Sequence, residues 1–478
     1  MISAADYIRV LPVIVLTLFG MAVMALDPLF PARASRKPLG WLALAGTLGA
    51  VAATLYQANY PGVGFFGMVR VDTFSIFFHL LIGLIASLVV LASFDYLETQ
   101  QIHGGEYYAL ILFGAVGMLL MSSAVELVLI FIALEISSIS TYILAGLRRR
   151  VAASAESSLK YFLLGSFATA FFLYGVALMF GATGSTNVAY VADALHRGQS
   201  SPLVFAAVAL MFVGIGFKVA SAPFHVWTPD VYEGAPSPVV ALMSTAPKAA
   251  AFAVLLRIFF AAGAPGWFWP VWISAALSMT LGNIGALVQQ NVKRMLAYSS
   301  IAHAGYLLVA FAAAQELGIS AAIFYSAAYA FMNVGAFAVV SHFGRAGERY
   351  VTIDDYAGLG RRSPILAATL TVFLLSLIGI PITGGFFAKF YVFSAALKSN
   401  LVWLTIIGVV NSAIAAYYYL RVIVVMYMRD AVDTAPLPPM RAPLAVALTV
   451  SVAATIYLGV LPERALDFAS RSAADLLR

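Results

Sequence analysis

Fourteen apolar runs, nearly all at or above the roughly 17 residues a helix needs to cross a bilayer, dominate this 478-residue chain. They cover about 7 to 27, 39 to 57, 72 to 94, 107 to 122, 125 to 147, 157 to 181, 202 to 222, 238 to 262, 268 to 289, 295 to 314, 318 to 343, 364 to 395, 400 to 428 and 442 to 461. In lipid only helices and closed barrels satisfy their own backbone, and runs of this length select helices. The expected fold is an all-α polytopic membrane protein. The composition agrees, with 62% hydrophobic and 10% charged residues. Without cysteine, disulfides, thiolate-held clusters and cysteine nucleophiles are excluded. The net charge of +6 is scattered between apolar runs, which reads as a topology signal and not as a nucleic-acid surface.

Two spans are broken. The seventh runs from Pro202 to Val219, carries Lys218 at its deep end and then meets Pro223; the twelfth is interrupted at Gly379-Ile-Pro-Ile-Thr-Gly-Gly385. A lysine near the bilayer centre costs about 2.5 to 3.5 kcal/mol on insertion scales, and proline removes a backbone donor. Half-helix ends exposed by such breaks can face ions or water where they line a protein cavity.

Loops after odd-numbered spans hold Arg33, Arg36, Lys37, Arg148 to Arg150, Lys293, Arg294, Arg345, Arg349, Arg361, Arg362, Arg429 and Arg441, whereas the other loops are poor in basic residues. The positive-inside rule then predicts both termini on the outer, periplasmic side of an inner membrane. The chain also matches itself at a spacing of about 162 residues: Ser137-Ser-Ile with Ser299-Ser-Ile, Phe162 with Phe324, Ser201-Pro with Ser363-Pro, and Phe224 with Phe386. Each unit holds five spans, so the second enters from the opposite face. The division predicted is a three-helix segment over 1–106, inverted five-helix units over 107–262 and 268–428, and a last helix with a tail over 429–478.

Few charges lie deep in spans: Glu135, Lys218, Lys248 and Lys389, with Lys160, Arg257 and Arg421 nearer the ends. Glu135 and Lys218 make a natural ion pair, which on its own serves equally as a structural staple. Two further deep lysines without a carboxylate shift the balance towards proton exchange, since an amine in a low dielectric gives up its proton more readily. His303, beside Ser299 and Ser300, and His225, just after the first break, are further relay candidates or satisfied structural histidines. Lys160 reads as snorkelling to the inner face, and Arg257 and Arg421 as interface anchors. Gly62-Val-Gly-Phe-Phe-Gly67 fits the dinucleotide pattern but lies between membrane spans, without the strand and helix that pattern requires. No ligand cluster suits a metal, and no cofactor is expected in this chain.

The Glu in the fifth span, Lys218 with Ala-Pro-Phe-His-Val-Trp-Thr-Pro-Asp-Val-Tyr-Glu-Gly-Ala-Pro after it, Lys248, and Gly-Gly-Phe-Phe-Ala-Lys389 resemble the antiporter-like membrane subunits shared by respiratory complex I and multisubunit cation/proton antiporters. Leu134-Glu-Ile-Ser-Ser-Ile-Ser-Thr-Tyr142 and Lys at 389 are similar to the N-type complex I subunits, and spans ending near 461 leave no room for the lateral helix of the L type. The resemblance implies a proton channel driven by quinone chemistry elsewhere, with NADH and quinone bound by other subunits, and membrane subunits M and K as neighbours. It also implies Glu135 as charge partner of Lys218, Lys248 as central relay and Lys389 as exit-side donor. A cation/proton antiporter subunit or a structural membrane scaffold are the alternatives.

Overall fold

The structure, a computed structural model, describes residues 3–31, 34–102, 104–198, 201–261, 266–313, 316–431 and 437–477. Arg33 and the expected unit limit at 262 fall outside these residues. A short α1 (Ala4–Arg9) precedes α2 (Leu11–Leu26) and α3 (Lys37–Gln57), and a hairpin of β1 (Gly62–Gly64) with β2 (Val69–Val71) leads into α4 (Thr73–Thr99). The strands pair antiparallel, Gly62 opposite Val71. Next come α5 (Glu106–Ser123), α6 (Leu127–Ala145), α7 (Ala152–Thr183) and the short α8 (Val188–His196). The seventh span is α9 (Pro202–Val219), followed after a break by α10 (Thr228–Gly234), and the eighth is α11 (Ser237–Met243) with α12 (Ala246–Leu255). Then α13 (Phe268–Leu287), α14 (Val292–Ala312) and α15 (Glu316–Phe343) precede the single turn α16 (Leu359–Arg362). The chain ends with α17 (Pro364–Ile378), α18 (Gly384–Lys398), α19 (Val402–Met428), α20 (Ala442–Val460) and α21 (Glu463–Leu477).

Among the described residues thirteen helical segments are long and apolar enough to cross a membrane. The fourteenth span is α17 with α18, joined across the Gly379 break. An even number of crossings puts α1 and α21 on one face, called here the terminal face. Packing recurs along the chain: α5 on α6 parallels α13 on α14, α7 on α9 parallels α15 on α17, and α12 on α5 parallels α19 on α13. Polarity sets the layering. The central helices α11, α12, α14 and α15 are almost wholly buried, while α2, α7 and α19 turn Leu18, Met21, Phe167, Tyr174 and Tyr417 outward, as lipid-facing helices do.

Each break has a local cause. Ala220 at φ 59° ends α9 ahead of Pro223, and Gly379 at φ 94° ends α17. A third interruption, at Ser244 and Thr245, divides the eighth span. Pro247 has no N–H to offer the Met243 carbonyl, so the helix cannot run through. The sequence reading treats 462–478 as a tail; the structure folds most of it into α21, whose Ala469, Ala473 and Leu476 are buried against α15 and α4.

Candidate functional site

The site is built from buried lysines and the polar groups that hold them. Lys218 sits in the last turn of α9, where the free carbonyl ends of the helix favour a cation. Its Nζ donates to Ser138 Oγ at 2.9 Å. Glu135 lies one turn earlier on α6, yet it forms no ion pair with Lys218 within 4 Å; the serine takes the contact position expected for the carboxylate. Glu135 is half-buried, and its Oε1 is enclosed without a hydrogen-bond partner. Lys218 also faces the Tyr161 ring at 6.0 Å.

Lys248, in the first turn of α12, is held by α14. Its Nζ donates to Ser300 Oγ at 2.5 Å and to the Ser300 carbonyl at 3.1 Å. Tyr329 Oη donates to the same hydroxyl at 2.8 Å. One turn along α14, His303 Nδ1 shares a 2.6 Å hydrogen bond with Tyr325 Oη, and its Nε2 lies 3.5 Å from Tyr419 Oη, which in turn bonds Ser299.

Lys389 lies on α18, beyond its break, and reaches back across it. Its Nζ donates to the Leu377 and Ile378 carbonyls at 3.0 and 2.8 Å and to Ser412 Oγ at 2.8 Å, and lies 4.9 Å from the centre of the Tyr306 ring. Those carbonyls are among the four a helix leaves unpaired at its C-terminus. Gly379 makes room: a Cβ there would stand 3.2 Å from Lys389 Cδ.

The structure therefore buries Lys218, Lys248, His303 and Lys389; Tyr329 contacts both Ser300, which holds Lys248, and His303, the Tyr306 ring stands against both His303 and Lys389, and Glu135 lies a turn from Ser138, which holds Lys218. His225 is not brought in. It is half-buried between exposed Pro223 and Val226, its Nδ1 lacks a partner, and it contacts none of the lysines. Lys160 stands at the face opposite the termini, paired with Glu156 and Asp230 at 2.6 Å each. Arg257 corrects its reading as an interface anchor. It is 2% exposed and bound bidentately to Asp72 at 2.9 and 3.0 Å, because a planar guanidinium matches a carboxylate in two places. Arg421 stays near the surface, on Gln290.

Sequence reasoning missed the hydroxyl partners. The signal was present: Ser138 and Ser300 occupy matching positions of the 162-residue repeat. Also missed was a buried charge cluster on the face opposite the termini. Glu348 accepts from Lys293 at 2.8 Å, Arg148 at 3.0 Å, Tyr96 Oη at 3.0 Å, and the backbone N–H and hydroxyl of Ser237 at 2.8 and 2.6 Å. Burial works to raise this carboxyl, but Lys293 and Arg148 outweigh it and hold it at about 2. It is a fixed anion at neutral pH.

The family described as "NADH:quinone oxidoreductase/Mrp antiporter, TM" matches residues 124–415, the stretch that holds Glu135, Lys218, Lys248, His303 and Lys389. NADH-quinone oxidoreductase subunit N 2 of Koribacter versatilis is 69% identical over 100% of this chain and 99% of its own length. The chain belongs to the subunit N family of NADH-quinone oxidoreductase. Subunit N 1 of Solibacter usitatus is 50% identical over 98% of each chain. A chain of respiratory complex I from Thermus thermophilus with bound aureothin superposes with a TM-score of 0.83 at 37% identity, covering 95% of this chain and 98% of that one. This subunit N family member is thus a multi-pass component of a proton-pumping translocase, with other complex I subunits as its partners. Its relatives favour complex I over the antiporter alternative. Among the described residues no group of three or more histidine, aspartate or glutamate side chains is arranged to hold a metal.

Proposed function

We propose that this subunit carries protons along Lys218, Lys248, His303 and Lys389, driven by NADH-to-quinone electron transfer in other subunits, which bind both substrates. The observation that carries the reading is that three buried lysines are held by hydroxyls and carbonyls, with no carboxylate in contact with any of them. A carboxylate contact would pin each ammonium, whereas a hydroxyl bonds a neutral amine as readily as a charged one. Glu135 is the control element. Moving its charge away removes an attraction that keeps the proton on Lys218, and the proton passes to Lys248. Ser300 and Tyr329 link Lys248 towards His303, and the Tyr306 ring stands against both His303 and Lys389. The half-pathways correspond to residues 107–262 and 268–428, with the terminal face outward and the Arg-rich face inward. Subunits M and K flank the chain in the membrane.

The test is Lys248→Ala in the intact complex, with assembly, NADH:quinone turnover and proton pumping measured on one preparation. Assembly with a joint fall of turnover and pumping supports the relay. Full turnover and pumping would return Lys248 to a structural role.

A further inference from the structure

On the terminal face a groove of about 790 Å³ opens between the β-hairpin, the ends of α3 and α4, and α21. Its upper rim is basic. Arg70 projects from β2, while Arg464 and Arg471, seven residues apart, share one side of α21 with Phe468 between them. The lower wall is apolar, built from Leu55 on α3 and Ile76 and Leu80 on α4, helices that run into the membrane.

The acidic groups at the rim are already engaged. Asp72 is bound by Arg257 on two sides, with Arg70 at 3.3 Å, and its carboxyl is lowered: burial works to raise it and Arg257 overcomes that. Asp475 accepts from the Thr73 N–H at 3.2 Å and from its hydroxyl. Arg464 and Arg471 are exposed, and among the described residues neither has an ion-pair partner; Arg471 reaches only the Asp467 carbonyl at 3.3 Å. The groove thus has two uncommitted guanidiniums over an apolar slot.

The depth of the site points to its occupant. Tyr56 and Tyr60, at the end of α3 beside the groove, pack ring to ring at 5.4 Å with their hydroxyls 3.2 Å apart, and Tyr56 is half exposed. Exposed tyrosines gather where acyl chains give way to headgroups. α21 is itself amphipathic: Ala469, Ala473 and Leu476 point into the protein, and Arg464, Asp467 and Arg471 point out. A basic rim at headgroup level above an apolar wall at chain level matches one chemistry, a phosphodiester carried on acyl chains.

We propose that this groove binds an anionic phospholipid, its phosphate between Arg464 and Arg471 and a chain along Leu55, Ile76 and Leu80. Bound there, the lipid ties α21 to the hairpin and α4 from outside, across the seam that Phe468 closes from within against Phe77 at 5.5 Å.

The test uses the intact complex in nanodiscs containing a photoactivatable phosphatidylglycerol, with cross-linked peptides mapped after illumination. Label is expected in the peptides spanning 55–80 and 464–475. At about a fivefold loss for each arginine removed near a membrane surface, Arg464→Gln with Arg471→Gln lowers the labelling roughly 30-fold, while Arg464→Lys with Arg471→Lys keeps most of it. Equal labelling of this groove by photoactivatable phosphatidylcholine, or undiminished labelling in the double Gln variant, would overturn the proposal. So would loss of a neighbouring subunit from the Gln variant with lipid labelling unchanged, which would make the rim a seat for an acidic protein segment.

Discussion

The two broken helices solve one problem in two ways. In the first, the lysine precedes the break: Lys218 ends α9 and takes a serine from α6, with Glu135 a turn away on the same helix as that serine. In the second, the lysine follows the break: Lys389 starts down α18 and reaches back to the open carbonyls of α17. Both ammoniums therefore sit at a helix C-terminus, where the dipole favours a cation, although the sequence positions do not correspond. The repeat is displaced further at the serines. Ser138 holds the lysine of its own unit, but its counterpart Ser300 holds Lys248, which belongs to the other unit. Under the proposed relay that exchange joins the two half-pathways. Among the described residues only the first break has a carboxylate, Glu135, within a helical turn of the lysine's partner, so the proposed control lies at that end.

The largest expected effects test whether the two ends are equally necessary. Lys218→Ala and Lys389→Ala should each lower coupled pumping by about two orders of magnitude or more, the usual contribution of a positioned proton-transfer group. Pumping and turnover assays on assembled complex read this directly. An intact Lys389→Ala complex that still pumps would confine the pathway to the first unit. Glu135→Gln separates the ends more finely. It should slow pumping about tenfold while leaving a residual rate that Lys389→Ala abolishes, because it removes control and not the carrier.

Next in size are the buried charges outside the proposed relay. Glu348→Ala leaves Lys293 and Arg148 buried without their anion, and Asp72→Ala does the same to Arg257. Each should cost about 3 to 5 kcal/mol, read as lost assembly or a lowered unfolding temperature in detergent. The pH dependence has a definite sign. Glu348 is held at about 2 in the fold, against an ordinary glutamate near 4.3. Its contribution is fully present above the ordinary value and is lost as pH falls through about 4 towards 2. Glu348→Gln should flatten that acid limb of the unfolding profile.

Much of this was legible in the sequence, and the limits were physical. Apolar run lengths announced the spans, because lipid leaves the backbone no alternative to a helix. Lys218, Lys248 and Lys389 stood out because a buried cation is expensive. What periodicity could not show was which groups meet across helices. In the sequence Ser300 reads only as a neighbour of His303 and Ser138 only as part of the repeat, though their matching positions mark both as possible lysine partners. Glu348 lies in a loop between spans, where a glutamate reads as solvated. Arg257 looked like an anchor because its partner, Asp72, is 185 residues away. The α21 helix was overlooked because its charges and small residues carry too little hydropathy to register as a span.

The smallest effects return to the turns themselves. Gly379 holds φ 94° where Ala220 holds 59°, so the second break uses a residue suited to positive φ and the first does not. Alanine at 379 would meet both a disfavoured backbone and the Lys389 side chain 3.2 Å from its Cβ, a cost of about 1 to 3 kcal/mol. Glycine at 220 relieves about 1 kcal/mol of left-handed strain but adds a similar entropy to the unfolded chain, so its net change should lie near zero. Unfolding temperatures of the two variants, with pumping measured alongside, check the contrast. Gly379→Ala should lose stability and pumping together, since the same carbon strains the turn and crowds the Lys389 side chain at Cδ, whereas Ala220→Gly should leave pumping intact because Lys218 takes its contact from α6 and not from the turn. If Ala220→Gly also impaired pumping, the first turn would be part of the lysine's seat, and the two breaks would be more alike than their contacts indicate.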